Sequence, residues 1–282
     1  MRQMSELTTS EVSQEFIFDV DTKVTGENGD YFATLSQNWN IGKKPNGGYL
    51  LSVMGAAFRK ASNRDTALSI SAHYLRSPNP GPVRINVELV KSGRTITNLL
   101  GRMYVEDQLC LLAIATYGEL AAAVGPTRIT SVMPEMPPPH ECIPMPWPTT
   151  IRGATESTFT DRIELRQSPE SNWLKSKEPS KTALVQCWMR FTDGRPMDTS
   201  ALTLIVDAAP PALLGVLETG WVPTIDLTVH IKAIPDGEWI LTRFRTETLL
   251  NGFFEEDGEA WDQSGRLIAL SRQQAMVLIP KA

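Results

Sequence analysis

Asp207 is the one charge in the stretch Leu202 to Leu217 of this 282-residue chain. A buried lone carboxylate is costly unless donors or a helix N-terminus compensate it, and that environment can tune a general base. An N-cap aspartate satisfying its own helix's orphan amides fits the spacing equally well. A second constellation is Thr224-Ile-Asp226-Leu-Thr228-Val-His230. Strand alternation puts Thr224, Asp226, Thr228 and His230 on one face, which alone reads as a solvated or interfacial sheet surface. A third is Ser271-Arg272-Gln273-Gln274 in an otherwise apolar last strand, where buried amides must find partners and could orient water. A fourth is Asn46-Gly47-Gly48 at the start of an apolar run. Its amides would suit an approaching carbonyl or phosphate oxygen, and its glycines would equally suit close helix–strand contact.

Other chemistries lack their residues. There is no G-x-S-x-G elbow, no phosphate-binding G-x-x-x-x-G-K-[ST], no G-x-G-x-x-G and no H-E-x-x-H, so neither a nucleotide cofactor nor a metal is expected. His140, Glu141 and Cys142 are consecutive on an extended segment and point different ways, unlike a metal site. Cys110, Cys142 and Cys187 are spaced like neither a disulfide framework nor zinc ligands, and read as reduced thiols. His73 and His230 sit at equivalent strand positions and share a structural role.

The composition is that of an ordinary globular chain, with 27 Lys+Arg against 32 Asp+Glu, a formal net charge of -5 and 41% hydrophobic residues. Without a Lys/Arg-rich run it offers no footprint for nucleic acid. No uncharged apolar stretch approaches the length of a membrane helix. The polar start MRQMSELTTSEVSQEF lacks the apolar core of a secretory signal, so a cytoplasmic protein is expected.

Eight of the 20 prolines fall between residues 126 and 148. Such a segment cannot donate a regular hydrogen-bond ladder and favours stiff, extended backbone. It predicts a linker over 126–150 between units at 1–125 and 151–282. Each flank opens with strand-like segments, around Glu15 to Val20 and Gly29 to Leu35, and around Phe159 to Leu165 and Thr182 to Phe191. Each continues with an apolar helix-length run and closes with four alternating runs. At an offset of 157 residues, Leu68, Ile70, Ala72 and Tyr74 meet Ile225, Leu227, Val229 and Ile231, while His73, Pro78 and Gly101 meet His230, Pro235 and Gly258. Parity carries this comparison, because a one-residue slip would turn every apolar side chain to the wrong face. After one gap, Ala113 falls on Ala269 and Tyr117 on Gln273. The chain therefore reads as a duplicated unit.

Gly47 to Ala57 is apolar on nearly every face, and Ala201 to Leu217 is similar apart from Asp207. A helix apolar all round must be buried all round. The expectation is α+β: in each half, a long helix wrapped by a strongly curved antiparallel sheet. Pro210 and Pro211 suggest that the regular part of the second helix starts near them, with Asp207 close to its N-terminus.

The motifs WNIGKKPNGGYL from Trp39, HYLRSP from His73, VKSGRT from Val90, PTIDLTVH from Pro223 and EDGEAWDQSGRLIALSRQ from Glu256 resemble, in that order, the double hot dog acyl-CoA thioesterases of the thioesterase II type. Coverage runs from about residue 15 to the end. The resemblance implies that Asp207, Thr224 and Gln273 hold and activate a water that attacks the thioester of an acyl-CoA, with Asn46, Gly47 and Gly48 on the substrate side and Gly47 or Gly48 amides facing the developing oxyanion. Gln274 beside Gln273 leaves a one-residue slip to be decided by strand parity. The first half supplies neither the Asp (Leu50 by offset) nor the Gln (Tyr117), so one site per chain is expected. A non-catalytic acyl or aromatic ligand-binding protein on the same fold is the alternative, followed by a hot dog dehydratase or hydratase. By analogy a homo-oligomer is expected.

Overall fold

The computed structural model of the protein describes residues 15–147, 157–171, 180–217, 219 and 222–278. In the first half, α1 (Ile17–Asp21) precedes β1 (Thr25–Glu27), β2 (Asp30–Leu35), the short pair β3 (Asn40–Ile41) and β4 (Lys44–Pro45), and α2 (Gly47–Ser62). Four long strands follow: β5 (Thr66–Tyr74), β6 (Gly81–Ser92), β7 (Ile96–Val105) and β8 (Gln108–Gly118). The second half has β9 (Ile143–Pro144), β10 (Ile163–Gln167), β11 (Ala183–Phe191), α3 (Leu202–Ile205), β12 (Thr224–Ile231), β13 (Ile240–Thr246), β14 (Leu249–Leu250), β15 (Phe253–Trp261) and β16 (Leu267–Met276).

One 14-stranded sheet runs β1-β2-β6-β7-β8-β5-β12-β16-β15-β13-β11-β10-β9, with β14 on β15, and every pairing in it is antiparallel. From its centre outward, β5-β8-β7-β6-β2 mirrors β12-β16-β15-β13-β11. At the central pair, Ser71 lies opposite Thr228 and their hydroxyls bond at 2.7 Å. These two residues are separated by the same 157 positions that relate the halves in sequence. The central contact is thus self-complementary, as between two copies related by a twofold axis.

Alternation explains the burial. Ile70 and Ala72 of β5, and Leu227 and Val229 of β12, face the core, whereas His73 and His230 are exposed on the other face. α2 lies on the core face against β2, β5, β6, β7 and β8. Tyr49, Leu51, Val53, Met54, Ala57 and Phe58 on it are fully buried. Each large side chain of this kind stabilises by about 1.5–3 kcal/mol, and Leu51→Ala would cost about 2–5 kcal/mol. The helix approaches so closely that a Cβ on Gly101 of β7 would stand 2.5 Å from Met54 Sδ and 2.6 Å from Phe58 Cζ. Asn46 caps α2 by accepting from Tyr49 N at 2.9 Å, and Asn63 ends it in the left-handed region at φ 51°.

Three expectations change. Glu15 to Val20, read as strand, is mostly taken up by helix α1, which runs on to Asp21 and in which Phe18 packs against Trp39 and Phe191; short apolar runs fit either period. The second half has no long helix among its described residues: Ala201 to Leu217 forms the four-residue α3 and a 3-10 turn, Ala212–Gly215. Pro210 and Pro211 supply no N–H, and the residue before a proline avoids the helical region. Asp207 consequently follows α3 instead of heading a helix. The last strands align at an offset of 158 instead of 156, since β7 pairs Leu99 with Ala115 where β15 pairs Glu256 with Gln273. The counterpart of Gln273 is Ala115, not Tyr117.

Within the Pro-rich segment, residues 123–139 form no regular element, and 148–150 lie outside the described residues. Met133, Met136 and Cys142 pack on Trp188, Trp239 and Leu241. Cys110, Cys142 and Cys187 are all free and buried. Among the described residues, no helix is long and apolar enough to cross a membrane, and no cluster of three or more His, Cys, Asp or Glu could hold a metal.

Candidate active site

The break in the second apolar run decides where Asp207 goes. Its side chain leaves the end of α3 and reaches across to the start of α2, in the other half. Oδ2 accepts from Gly48 N at 2.6 Å and from Asn46 Nδ2 at 3.1 Å, and Asn46 Nδ2 also donates to the Asp207 carbonyl at 3.0 Å. Asp207 therefore caps a helix, as its type allows, but not its own. Gly48 has no room for a side chain here, because a Cβ would sit 2.8 Å from Thr203 O and 2.9 Å from Asp207 Cβ. Burial pushes the Asp207 carboxyl up to about 6, against the lowering pull of the Gly48 and Asn46 hydrogen bonds. Oδ1 has no protein donor among the described residues.

At the head of α2, Gly48 N, Tyr49 N and Leu50 N bond to Asp207 Oδ2, Asn46 Oδ1 and Asn46 O respectively. Gly47 N has no acceptor among the described residues, and Gly47 lines a cavity of about 330 Å³ beside Asp207. Asn46, Leu50, Tyr74, Thr224 and Gln273 line the same cavity. Its remaining wall is mostly apolar, with Ile41, Trp147, Ala209, Pro210 and Val222, and Arg76 and Ser77 also line it. Tyr74 Oη donates to Gly47 O at 3.0 Å.

Thr224 comes from the first position of β12, next to a bulge between Thr224 and Asp226 where β12 meets β16. The same irregularity lies between Ala67 and Ser69 where β5 meets β8, at the repeat offset. Bulges re-aim side chains, and this one turns Thr224 inward while Asp226 pairs opposite His73. Thr224 Oγ1 donates to Gln273 Oε1 at 3.0 Å. Strand parity turns Gln273 inward, 8% exposed and lining the cavity, whereas Gln274 falls on the opposite face. Asp207, Thr224 and Gln273 meet on one cavity, although no direct hydrogen bond joins Asp207 to the other two among the described residues. Asn46 and Gly47 share that cavity, and the Gly48 amide is already taken by Asp207. His73 and His230 are on the exposed face, away from it.

Reading the sequence missed Glu256. It is 4% exposed on β15, and Oε1 accepts from Gln273 Nε2 at 2.8 Å while Oε2 accepts from Ala212 N at 2.6 Å. Burial pushes its carboxyl up to about 7, opposed by those two donors and reinforced by the charges of Asp207 and Asp257. The signal was available: Phe254, Glu256, Gly258 and Ala260 share the inward face by alternation, and a carboxylate among them needs partners.

A conserved protein of unknown function from Alicyclobacillus acidocaldarius, solved with a hot dog fold, superposes with a TM-score of 0.82 over 95% of this chain and 100% of its own, at 20% identity. The fold is therefore of the hot dog class. A thioesterase II candidate from Thermobifida fusca YX superposes with a TM-score of 0.84 at 30% identity, covering 93% of this chain and 98% of that one. An uncharacterized protein of Mycobacterium tuberculosis (strain H37Rv) is 26% identical over 264 residues, 86% of this chain and 89% of that protein. The family models for the acyl-CoA thioesterase N-terminal and C-terminal domains match residues 35–118 and 139–277. The chain belongs to the acyl-CoA thioesterase family.

Proposed function

We propose that this protein hydrolyses the thioester of an acyl-CoA as a double hot dog enzyme, with repeats at 1–125 and 151–282 joined by 126–150, in which Asp207, Thr224 and Gln273 activate water. The observation that carries this reading is their convergence on one cavity beside the Gly47 N–H, which has no acceptor among the described residues. The acyl chain occupies the apolar wall, and Arg76 offers positive charge to the CoA phosphates. A water held between Asp207 Oδ1 and Thr224 Oγ1 gives a proton to Asp207 as its oxygen adds to the thioester carbonyl carbon. Gly47 N–H, at the positive end of α2, stabilises the oxyanion. The tetrahedral species collapses by breaking the C–S bond, and the proton held on Asp207 passes to the departing sulfur, leaving a carboxylic acid and free CoA thiol. No covalent acyl-enzyme forms.

A carboxyl poised near 6 is suited to general-base chemistry, being largely ionised at neutral pH yet basic enough to take a proton. The first-half cavity, about 190 Å³, is lined by Ala67 and Tyr117 together with Asp19 and Asp65, but Leu50, the counterpart of Asp207 by offset, is not among its lining residues, so this reading places one site per chain. A panel of acyl-CoAs with thiol release followed tests the reading. Turnover on at least one chain length is expected, and folded protein with none would refute hydrolysis and leave a ligand-binding role.

A further inference from the structure

Glu256 is a buried carboxylate that the hydrolytic steps do not use, and its surroundings dictate what it can do. Ala212 N–H can only donate. An ionised carboxylate can only accept. With Oε2 occupied by Ala212 N, the other oxygen must receive a donor from Gln273, and the amide turns Nε2 toward it at 2.8 Å. That fixes Gln273 Oε1 toward Thr224, whose hydroxyl must donate, at 3.0 Å. The Thr224 oxygen then keeps its lone pairs for the cavity. The hydrogen bonds thus run one way, from Thr224 through Gln273 to Glu256, and the ionised carboxylate sets their direction.

We propose that Glu256 is a positioning residue whose ionisation orients the Gln273 amide and, through it, the Thr224 hydroxyl, so that its protonation reverses the chain and switches the site down. This rests on the hydrolytic reading above for its catalytic consequence, though not for the hydrogen-bond reversal itself. When Oε1 carries a proton, it donates to the Gln273 carbonyl. The amide turns over, Nε2 faces Thr224, and the hydroxyl must accept. Thr224 then points its hydrogen into the cavity, where it occupies the water's nucleophilic lone pair instead of receiving a water proton. The proton taken up from solvent forms the one new covalent bond, the Glu256 O–H, and the rest of the reversal is rotation of the Gln273 amide and the Thr224 hydroxyl.

The charged groups that act on Glu256 are Asp207, from the segment after α3, and its strand neighbour Asp257, which is itself paired with Arg272 of β16 at 2.9 Å. Both carboxylates favour the protonated form. Burial does the same and brings the switch to about pH 7, within the working range of an enzyme. The break at Pro210-Pro211 matters here as well, because an unbroken helix would consume the Ala212 N–H that holds Glu256.

The decisive variant is Glu256→Gln. Ala212 N–H will claim its carbonyl, leaving its amide N–H to face Gln273 and holding the reversed chain at every pH. The expected result is a kcat lower by about 10- to 100-fold, the scale of one misdirected hydrogen bond, with KM within about twofold and the rise near pH 7 gone. The exchange Glu256→Gln with Gln273→Glu restores an acceptor opposite Thr224 and should regain most of that loss, which a merely structural role for Glu256 would not produce. The side-chain amide resonances of Gln273 in the intact protein, assigned by their absence in Gln273→Glu, provide a readout independent of turnover. They should shift with pH near neutrality in the wild type and in Asp207→Asn, and stay constant in Glu256→Gln. Amide signals insensitive to pH between 5 and 9, or wild-type kcat in Glu256→Gln, would overturn the proposal. A normal amide titration with no thiol release from any acyl-CoA would instead overturn the hydrolytic reading and leave the switch standing.

Discussion

The two halves repeat one strand plan yet differ at four positions that matter. Where the second half has Asp207, Thr224, Glu256 and Gln273, the first has Leu50, Ala67, Leu99 and Ala115, all buried and none able to hold water. The cause lies as much in the backbone as in the side chains. In the first half α2 is continuous from Gly47 to Ser62, so its interior amides are consumed by the helix. In the second half Pro210 and Pro211 interrupt the run, and Ala212 N–H is freed to hold Glu256. The intact helix contributes its exposed head to the broken half's carboxylate, since Gly48 N and Asn46 Nδ2 hold Asp207. The cavity beside Asp207 is thus lined by residues of both halves.

The comparison breaks most readily at Asp207. Asp207→Asn should lower kcat by about 10²–10⁴-fold with little change in KM, measured by thiol release. Wild-type kcat/KM should rise as pH increases through about 6, where this carboxyl ionises. The same change should stabilise the protein. A carboxyl whose folded value exceeds its unfolded one contributes stability that is full below pH 3.8 and lost as pH rises through about 6. Removing the ionisable group should raise unfolding stability at pH 8 by up to about 3 kcal/mol, less where cavity solvent screens the charge. Equal melting points at pH 8 with full activity would refute both the buried charge and its role.

Installing a carboxylate in the first half asks the reverse question. Leu99→Glu places a charge at the counterpart of Glu256, where α2 offers no free amide. A loss of about 3 kcal/mol or more is expected at pH 8, and a smaller one at pH 5 where the new group is neutral. Denaturant unfolding at the two pH values measures it, and a neutral outcome would mean that the broken second helix is not what accommodates Glu256. Smaller again is Thr224→Ala, expected to cost about 10- to 100-fold in kcat, with Thr224→Ser recovering most of it. Its mirror, Ala67→Thr, should leave kcat within about twofold.

Much of the sheet was legible because period-two alternation is a strong signal: eight alternating runs overlap β5 to β8, β12, β13, β15 and β16, though β5, β6 and β8 extend beyond them and β14 was not expected, and the offset between the halves recurs at the centre of the sheet, where Ser71 faces Thr228. The second helix was not legible. Its apolar composition fits a buried helix and a buried irregular turn equally, and Pro-Pro decided between them more strongly than expected. The resemblance named Asp207, Thr224 and Gln273 as acting on water and Asn46, Gly47 and Gly48 as lying on the substrate side, but not that Asn46 and Gly48 hold Asp207. That Asp207 caps α2 depends on a contact between residues 159 positions apart, which no local pattern encodes. Glu256 was readable by parity and was overlooked among the neighbouring acids Glu255, Asp257 and Glu259.

The finest test of the difference between halves is Tyr117. Its hydroxyl donates to Gly55 O at 2.8 Å, and both residues line the first-half cavity. Gly55 lies inside α2, so its carbonyl also receives an intrahelical amide, and the tyrosine bond is its second. Tyr117→Phe removes one donor without leaving that carbonyl bare, so the expected cost is about 0.5–1.5 kcal/mol in unfolding free energy, with kcat within about twofold. The ring itself keeps its packing against Phe58. A tenfold fall in kcat would show that the first-half cavity acts on Asp207 through α2, whose head carries Gly47 and Gly48. The two halves would then be coupled through one helix, and the silent half would be part of the machinery.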